Sequence, residues 1–308
     1  MFQASASIAC GIPLSEEPGL GALTLPGYLR EVTSRFAERE ALVMHHADGA
    51  VERWTYDGLW ERAVAVARAL IACGVGKDSR VGVLMTNRPE WIASVFGVGL
   101  AGGVAATLST FSTPAELEHL VRASAVSVLL LERRVLKKDF AAILTDLEPQ
   151  LGRAAAGQVS SLKFPFLRQL AMVGEGPGQG AIESWPAFLA HGEATPRELV
   201  DATTAAVTPV DPGVLFFSSG STGKPKGILS AHRAVTIQCW RWRRRLQLGD
   251  DVRTLSANGF FWSGNFCQAL GATLSSGGSM VLQPTFDAVE ALRLIEAERV
   301  TMPVAWLH

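Results

Sequence analysis

Apolar residues recur at helical spacing in one stretch after another, with short unbroken apolar runs between them. Leu29, Val32 and Phe36 share one stripe of a helix expected over 28–39. Two short strands follow, at 41–44 and 51–54, joined by a polar turn containing Asp48-Gly49. Leu59, Val64, Ala67 and Leu70 give the apolar face of a helix over 56–73, and Gly74 supplies its stop. The pattern then predicts a buried strand at 80–85, a helix opened by Arg88-Pro89-Glu90, a strand at 104–108, a helix over 114–123 capped by Thr113, and a strand at 126–131. Around 193–209 the chain turns polar and strand-poor. Alternation resumes with strands at 214–218 and 227–230, a helix over 231–246 and a strand at 253–257. A helix over 268–275, a strand at 279–282 and a helix over 287–299 complete it. Strands alternating with helices imply right-handed βαβ units and mostly parallel sheets. The expected architecture is α/β, with two stacked α/β subdomains at 1–195 and 196–308. The sequence stops within an apolar stretch, so a truncated chain is expected, incomplete at its C-terminal end.

Two long runs carry no charge, 91–115 and 254–286. Gly, Ala, Ser and Thr fill most of the first, while Asn258, Asn265, Gln268 and a Gly-Gly pair break the second. Both are read as helix-plus-strand units buried in a parallel sheet rather than as membrane spans. No Lys or Arg precedes Arg30, so the charged opening of a secretory signal is missing. The 28 Lys and Arg against 29 Asp and Glu leave no basic excess for general nucleic-acid binding. Cys10, Cys73, Cys239 and Cys267 lie far apart, which disfavours a disulfide framework or a zinc site and points to a reducing cytoplasm.

The most informative segment is Phe216-Phe217-Ser218-Ser219-Gly220-Ser221-Thr222-Gly223-Lys224-Pro225-Lys226-Gly227. A strand feeds four hydroxyls, flexible glycines and two lysines into one turn. Small residues let backbone N–H groups converge on an anion, hydroxyls add donors, and lysine adds a compact charge. The segment reads as a phosphate cradle. Pro225 follows Gly223-Lys224 where a Walker A loop needs Ser or Thr, and no Gly-x-Ser-x-Gly elbow can be drawn.

This run resembles the phosphate-binding signature of the adenylate-forming (AMP-binding) superfamily, which includes acyl-CoA synthetases. Trp54-Thr55-Tyr56, Arg80-Val81-Gly82-Val83 before Asn87, and Gly102-Gly103-Val104 before Thr113-Pro114-Ala115-Glu116-Leu117 extend the resemblance over nearly the whole chain. Asn258-Gly259-Phe260-Phe261-Trp262-Ser263-Gly264 stands where the family has its aromatic motif, with Phe261 or Trp262 in place of a histidine found in many members. The resemblance implies ATP-dependent activation of a carboxylic acid through an acyl-adenylate, followed by transfer to CoA. It assigns ATP phosphate binding to Ser218, Ser219, Gly220, Ser221, Thr222, Gly223, Lys224 and Lys226, with Lys226 also catalytic. Phe261, Trp262 and Gly264 are expected at the acyl pocket, unless the aromatics are a plain core cluster. Mg2+ is implied together with ATP, its ligand expected in later motifs that this sequence lacks, and no metal ligand is assigned within the chain. Without those motifs the isolated chain is expected to be inactive, and its truncated edge at His308 is expected to expose apolar surface that favours self-association.

Other features admit different readings. Gly97-Val98-Gly99-Leu100-Ala101-Gly102 has the spacing of a dinucleotide fingerprint, but Pro89 and the stripe Trp91, Val95, Val98 put it at a helix end, where close helix–sheet packing explains it. Within Trp240-Arg241-Trp242-Arg243-Arg244-Arg245, the expected buried stripe is Val235, Cys239, Trp242 and Leu246, with arginines facing water. His45-His46 is expected as an exposed pair. His232 either supports the phosphate loop or caps the following helix. Two alternatives to the ligase remain, a nucleotide or phosphate binding module without turnover and a dinucleotide-dependent oxidoreductase.

Overall fold

The computed structural model describes residues 11–218 and 224–304. In chain order the elements are α1 (Leu25–Phe36), β1 (Glu40–His45), β2 (Val51–Thr55), α2 (Tyr56–Ala72), β3 (Arg80–Leu84), α3 (Pro89–Leu100) and β4 (Val104–Thr107). Next come α4 (Pro114–Ser124), β5 (Val128–Glu132), the short strands β6 (Arg134–Val135) and β7 (Lys138–Asp139), α5 (Phe140–Leu147), β8 (Gln169–Val173), β9 (Ile182–Ser184), α6 (Trp185–Ala190) and α7 (Arg197–Ala206). The rest is β10 (Pro212–Ser218), β11 (Lys226–Ala231), α8 (His232–Arg245), β12 (Arg253–Ser256), α9 (Ser263–Asn265), a π-helical turn (Phe266–Gly271), α10 (Ala272–Ser276), β13 (Ser279–Leu282), α11 (Ala288–Ala297) and β14 (Met302–Val304).

A seven-stranded sheet runs β11-β10-β4-β3-β5-β8-β9 and a five-stranded sheet runs β14-β12-β13-β1-β2. All neighbours are parallel except the two edge pairs β10–β11 and β1–β2. The sheets do not follow the 1–195 and 196–308 division of the sequence. Strands β10 and β11 join the larger sheet, whereas β1 pairs with β13 of the smaller one, Leu42 opposite Met280.

Strand alternation explains the layering. Val128 and Leu130 turn to one face of the larger sheet, where they meet α1, α2, α3 and α8 in a core shared with Leu42, Met280 and Leu282 of the smaller sheet. Leu129 and Leu131 turn to the other face, with Leu117 and Leu120 of α4 and Phe140 and Leu144 of α5. On the far face of the smaller sheet, Leu255 and Val281 pack on Ala291 and Leu294 of α11. Helices thus lie between the sheets and outside both. Thr113 caps α4 as its sequence anticipates, and Glu116 reciprocates to complete a capping box.

Several expectations need correcting. The spacing at Gly97–Gly102 is not a dinucleotide loop: Gly97 lies inside α3, where a Cβ would fall 2.7 Å from Val66 Cγ1 and 2.9 Å from the Ala63 carbonyl of α2. The close packing is therefore helix on helix, not helix on sheet. The helix expected over 268–275 starts earlier, at Ser263, and passes through the π-helical turn. On α8, Trp240 is buried, its ring edge-on to Tyr28 and its Nε1 donating to the Ala22 carbonyl at 3.1 Å, while Leu246 is exposed. Arg241 pairs with Glu17 at 2.7 Å. Nor are His45 and His46 a free exposed pair. His45 Nε2 lies 2.7 Å from the buried Glu298, which also binds Arg53 and Arg253, and His46 meets Glu52. No described helix is long and apolar enough to cross a membrane. The uncharged runs are α3 with β4, and β12 through β13.

Candidate active site

Parallel strands of both sheets end on one side of the molecule, and the segments leaving β3, β4, β12 and β13 surround a cavity of about 750 Å3. Crevices beyond the carboxyl ends of parallel strands are where α/β folds bind ligands. Thr86 and Asn87 follow β3, Phe111 stands in the loop after β4, and Asn258 to Asn265 follow β12. Pro284 to Phe286 close a further side.

Asn87 ties the two sheets together at this point. Its Nδ2 donates to the carbonyls of Ser256 (3.1 Å) and Asn258 (2.6 Å), and its Oδ1 accepts from the Phe260 N–H at 2.9 Å. Asn265 donates to the Asn258 carbonyl as well and accepts from Ser256 Oγ. A loop that would otherwise leave buried carbonyls unpaired is thereby fixed by two side-chain amides. Thr86 is held in turn by Glu132 at the end of β5, through both its N–H (2.9 Å) and its Oγ1 (2.7 Å). Arg88 neutralises Glu132 at 3.1 Å and Glu90 at 2.7 Å. Burial alone would push the Arg88 guanidinium down, but these two carboxylates carry it up.

Phe261 and Trp262 reach the cavity because Gly259 lacks a side chain. A Cβ at Gly259 would collide with the Phe261 ring. The Thr107 hydroxyl at the end of β4 donates to the Phe261 carbonyl at 3.2 Å and fixes the turn. Phe261 packs on Trp262 (5.4 Å between centroids) and edge-on against Phe111 (5.7 Å). Behind these three rings lies a second pocket of about 250 Å3, lined by Ser109, Ser112, Phe217, Ser218 and Pro225. Phe111, Phe261 and Trp262 line both spaces and form the partition between them. One chamber is mainly apolar; the other opens at the root of the Ser/Gly/Lys loop.

That loop is the connection of a hairpin. Strands β10 and β11 pair antiparallel from Pro212 opposite Ala231 to Ser218 opposite Lys226. Lys224 and Lys226 are exposed, and His119 of α4 lies 3.0 Å from the Pro225 carbonyl, pinning the hairpin to the sheet's outer face. Ser219, Gly220, Ser221, Thr222 and Gly223 lie outside the described residues. Phe216 and Phe217 alternate into the two cores that flank the strand.

Of the residues singled out in the sequence, the fold brings Ser218, Phe261, Trp262 and Gly264 to the two connected spaces. His232 is elsewhere. It starts α8, is buried, accepts from the Leu25 N–H at 3.2 Å, and faces Gly213 at the beginning of β10. The length of the β10–β11 ladder separates it from Ser218, so it braces α1 against the hairpin's base rather than touching the loop's root. Burial pushes its imidazole down to about 4, against the pull of Asp211. Thr86, Phe111, Leu136 and Asn258 were not anticipated as lining residues, and Asn87 figured only as a landmark. A polar residue just past a buried parallel strand is a usable signal for Asn87; nothing local marks Phe111. Among the described residues no three His, Cys, Asp or Glu side chains converge.

Comparison with known proteins agrees with this geometry. The profile of the AMP-binding enzyme family matches residues 29–305. The chain is 30% identical over 279 residues to a (7a-methyl-1,5-dioxo-octahydro-1H-inden-4-yl)propanoyl:CoA ligase of Mycobacterium tuberculosis, covering 91% of this chain and 50% of that protein. It is 31% identical over 248 residues to an indoleacetate–CoA ligase of Aromatoleum aromaticum, covering 80% and 43%. The chain thus spans about half the length of these curated relatives. Its fold superposes on the N-terminal domain of FACL13 from Mycobacterium tuberculosis with a TM-score of 0.73 at 20% identity, covering 92% of this chain and 62% of that one. An anthranilate CoA ligase in complex with anthranoyl-AMP gives 0.73 at 23% identity, covering 95% and 51%. With a sheet pair of the same architecture and a family match over most of its length, the chain belongs to the AMP-binding enzymes.

Proposed function

We propose that this chain supplies the phosphate loop and acyl cavity of an ATP-dependent acyl-CoA ligase. The observation that carries this reading is the pair of spaces divided by Phe111, Phe261 and Trp262, one at the root of the phosphate hairpin and one broad and apolar. A carboxylate placed at the partition has its apolar body in the larger space and its oxygens toward the hairpin. One carboxylate oxygen then bonds to the α-phosphorus of ATP as the bond to the bridging oxygen breaks, releasing pyrophosphate. The CoA thiol, losing its proton, attacks the acyl carbon, and AMP leaves with the electron pair.

In this reading Ser218 and the hydroxyls of Ser219, Ser221 and Thr222 donate to the β- and γ-phosphates. Gly220 and Gly223 let the backbone approach, and Lys224 and Lys226 offset the charge that builds on departing pyrophosphate. The apolar bodies of the acids named for the two relatives above suit a cavity of this size, and a carboxylic acid with a bulky apolar group is the substrate class we assign.

The test is pyrophosphate release by the natural protein that contains this chain, with ATP, CoA and a panel of aliphatic, aryl and alicyclic carboxylic acids. Acid-dependent release supports the ligase. ATP binding without release under any acid supports a nucleotide-binding module instead.

A further inference from the structure

The rim of the larger cavity is built from a feature that its chemistry alone does not require. Strands β6 and β7 pair Val135 with Lys138, so Leu136 and Lys137 form a two-residue turn. Leu136 sits at φ +53°, a left-handed conformation that a leucine rarely adopts, and its side chain is 78% exposed while lining the cavity. Among the described residues this apolar side chain is little buried, although its backbone is held in a conformation that costs a leucine. Facing the same space, Phe111 is 66% exposed and Phe286 68% exposed. Lys138 links two of these lips. Its Nζ donates to the carbonyls of Thr110 (3.0 Å) and Ser112 (2.9 Å), the two residues that flank Phe111. One ammonium thus holds the β6–β7 turn and the Phe111 loop at a fixed separation. Two charge-assisted hydrogen bonds to backbone make this a directional strut rather than a loose surface contact.

We infer that the β6–β7 turn is a selectivity lip of the cavity, with Leu136 touching the distal apolar part of a bulky carboxylic acid and Lys138 positioning that lip against Phe111. This rests on the reading of the cavity as an acyl site. It adds the residues that decide how large an acyl group is held. Leu136 is a specificity residue and Lys138 a positioning residue; neither reaches the phosphate hairpin.

The experiment is direct binding of a dansyl-labelled undecanoic acid to the chain, followed by fluorescence without ATP. Leu136→Gly removes the side chain while suiting the left-handed backbone, so the turn keeps its shape. It is expected to weaken the probe about fivefold, the scale of one partly buried aliphatic side chain. Leu136→Asp should weaken it further. Lys138→Met should weaken the probe by a similar factor and Lys138→Arg should restore part of the loss, with thermal unfolding unchanged within a few degrees. No binding by the unaltered chain, or equal binding by Leu136→Gly, Leu136→Asp and Lys138→Met, overturns the inference. Because no ATP is present, a lip effect in this chain together with no acid-dependent pyrophosphate release by the natural protein that contains it would refute the ligase reading while leaving the lip standing.

Discussion

Ser218 and Lys226 are cross-strand partners, the last pair of the β10–β11 ladder before the chain enters the Ser/Gly/Lys loop. The hairpin therefore places a hydroxyl and an ammonium at the two roots of one turn, with Phe217 buried directly behind them.

From that placement Lys226→Ala should slow pyrophosphate release by roughly 10²–10³-fold in the active enzyme, the scale of one lost transition-state donor. The fold should persist, since Lys226 is exposed and packs against little. Steady-state kinetics with a saturating acid measures this. Near-normal turnover would remove Lys226 from the reaction.

Trp262 forms part of the partition and is still 41% exposed. Trp262→Ala should shift the preferred acid size more than the apparent affinity for ATP, because it enlarges the space on the acyl side. Comparing kcat/KM across short and bulky acids decides the matter. An unchanged acid profile with a lower melting temperature would return Trp262 to an ordinary packing role.

Asn87 satisfies two carbonyls and one N–H at the junction of the sheets. Asn87→Ala should cost about 1–3 kcal/mol, since the buried Phe260 N–H loses its partner while the Ser256 and Asn258 carbonyls keep the Gln283 N–H and the Asn265 amide. Asn87→Asp should be at least as damaging, because its carboxylate would face two carbonyl oxygens. Urea denaturation gives the number, and a loss under about 0.5 kcal/mol for Asn87→Ala would show that other groups hold the loop.

His232 sets an acid limit on stability. Burial holds it neutral, with its folded value near 4 against about 6.5 when unfolded. The unfolded chain then binds the proton first. Stability from this group is complete above pH 6.5 and falls as pH drops toward 4, by at most about 3 kcal/mol in total. Melting temperature measured across that window should fall more steeply for the natural chain than for His232→Gln. Parallel slopes would mean that His232 takes up its proton without unfolding. Glu298 responds lower down. Burial pushes its carboxyl up, but Arg53, His45 and Arg253 pull it to about 2, so its contribution is lost only below about pH 4.5.

Most of the secondary structure was legible in the sequence because it is local. The stripe of α2, the capping box Thr113-x-x-Glu116 and the buried run of β3 each follow from residues a few positions apart. The Ser/Gly/Lys run is local in the same way, and the hairpin ladder that carries it, Ser218 opposite Lys226, follows from the strands on either side. Tertiary structure decided the rest. Nothing in 40–55 tells that β1 will pair with β13, because parallel neighbours need no proximity along the chain. Gly97 and its neighbours have the spacing of a nucleotide fingerprint, and only the approach of Val66 and Ala63 shows that they serve helix packing. His232, close to the phosphate loop in sequence, lies at the opposite end of the ladder because an extended strand carries it there. Phe111, Asn87 and Leu136 belong to three different loops that meet only where the parallel strands end. Local chemistry thus determined most of the elements. The cavity, being made of segments far apart in the chain, exists only once the two sheets are packed.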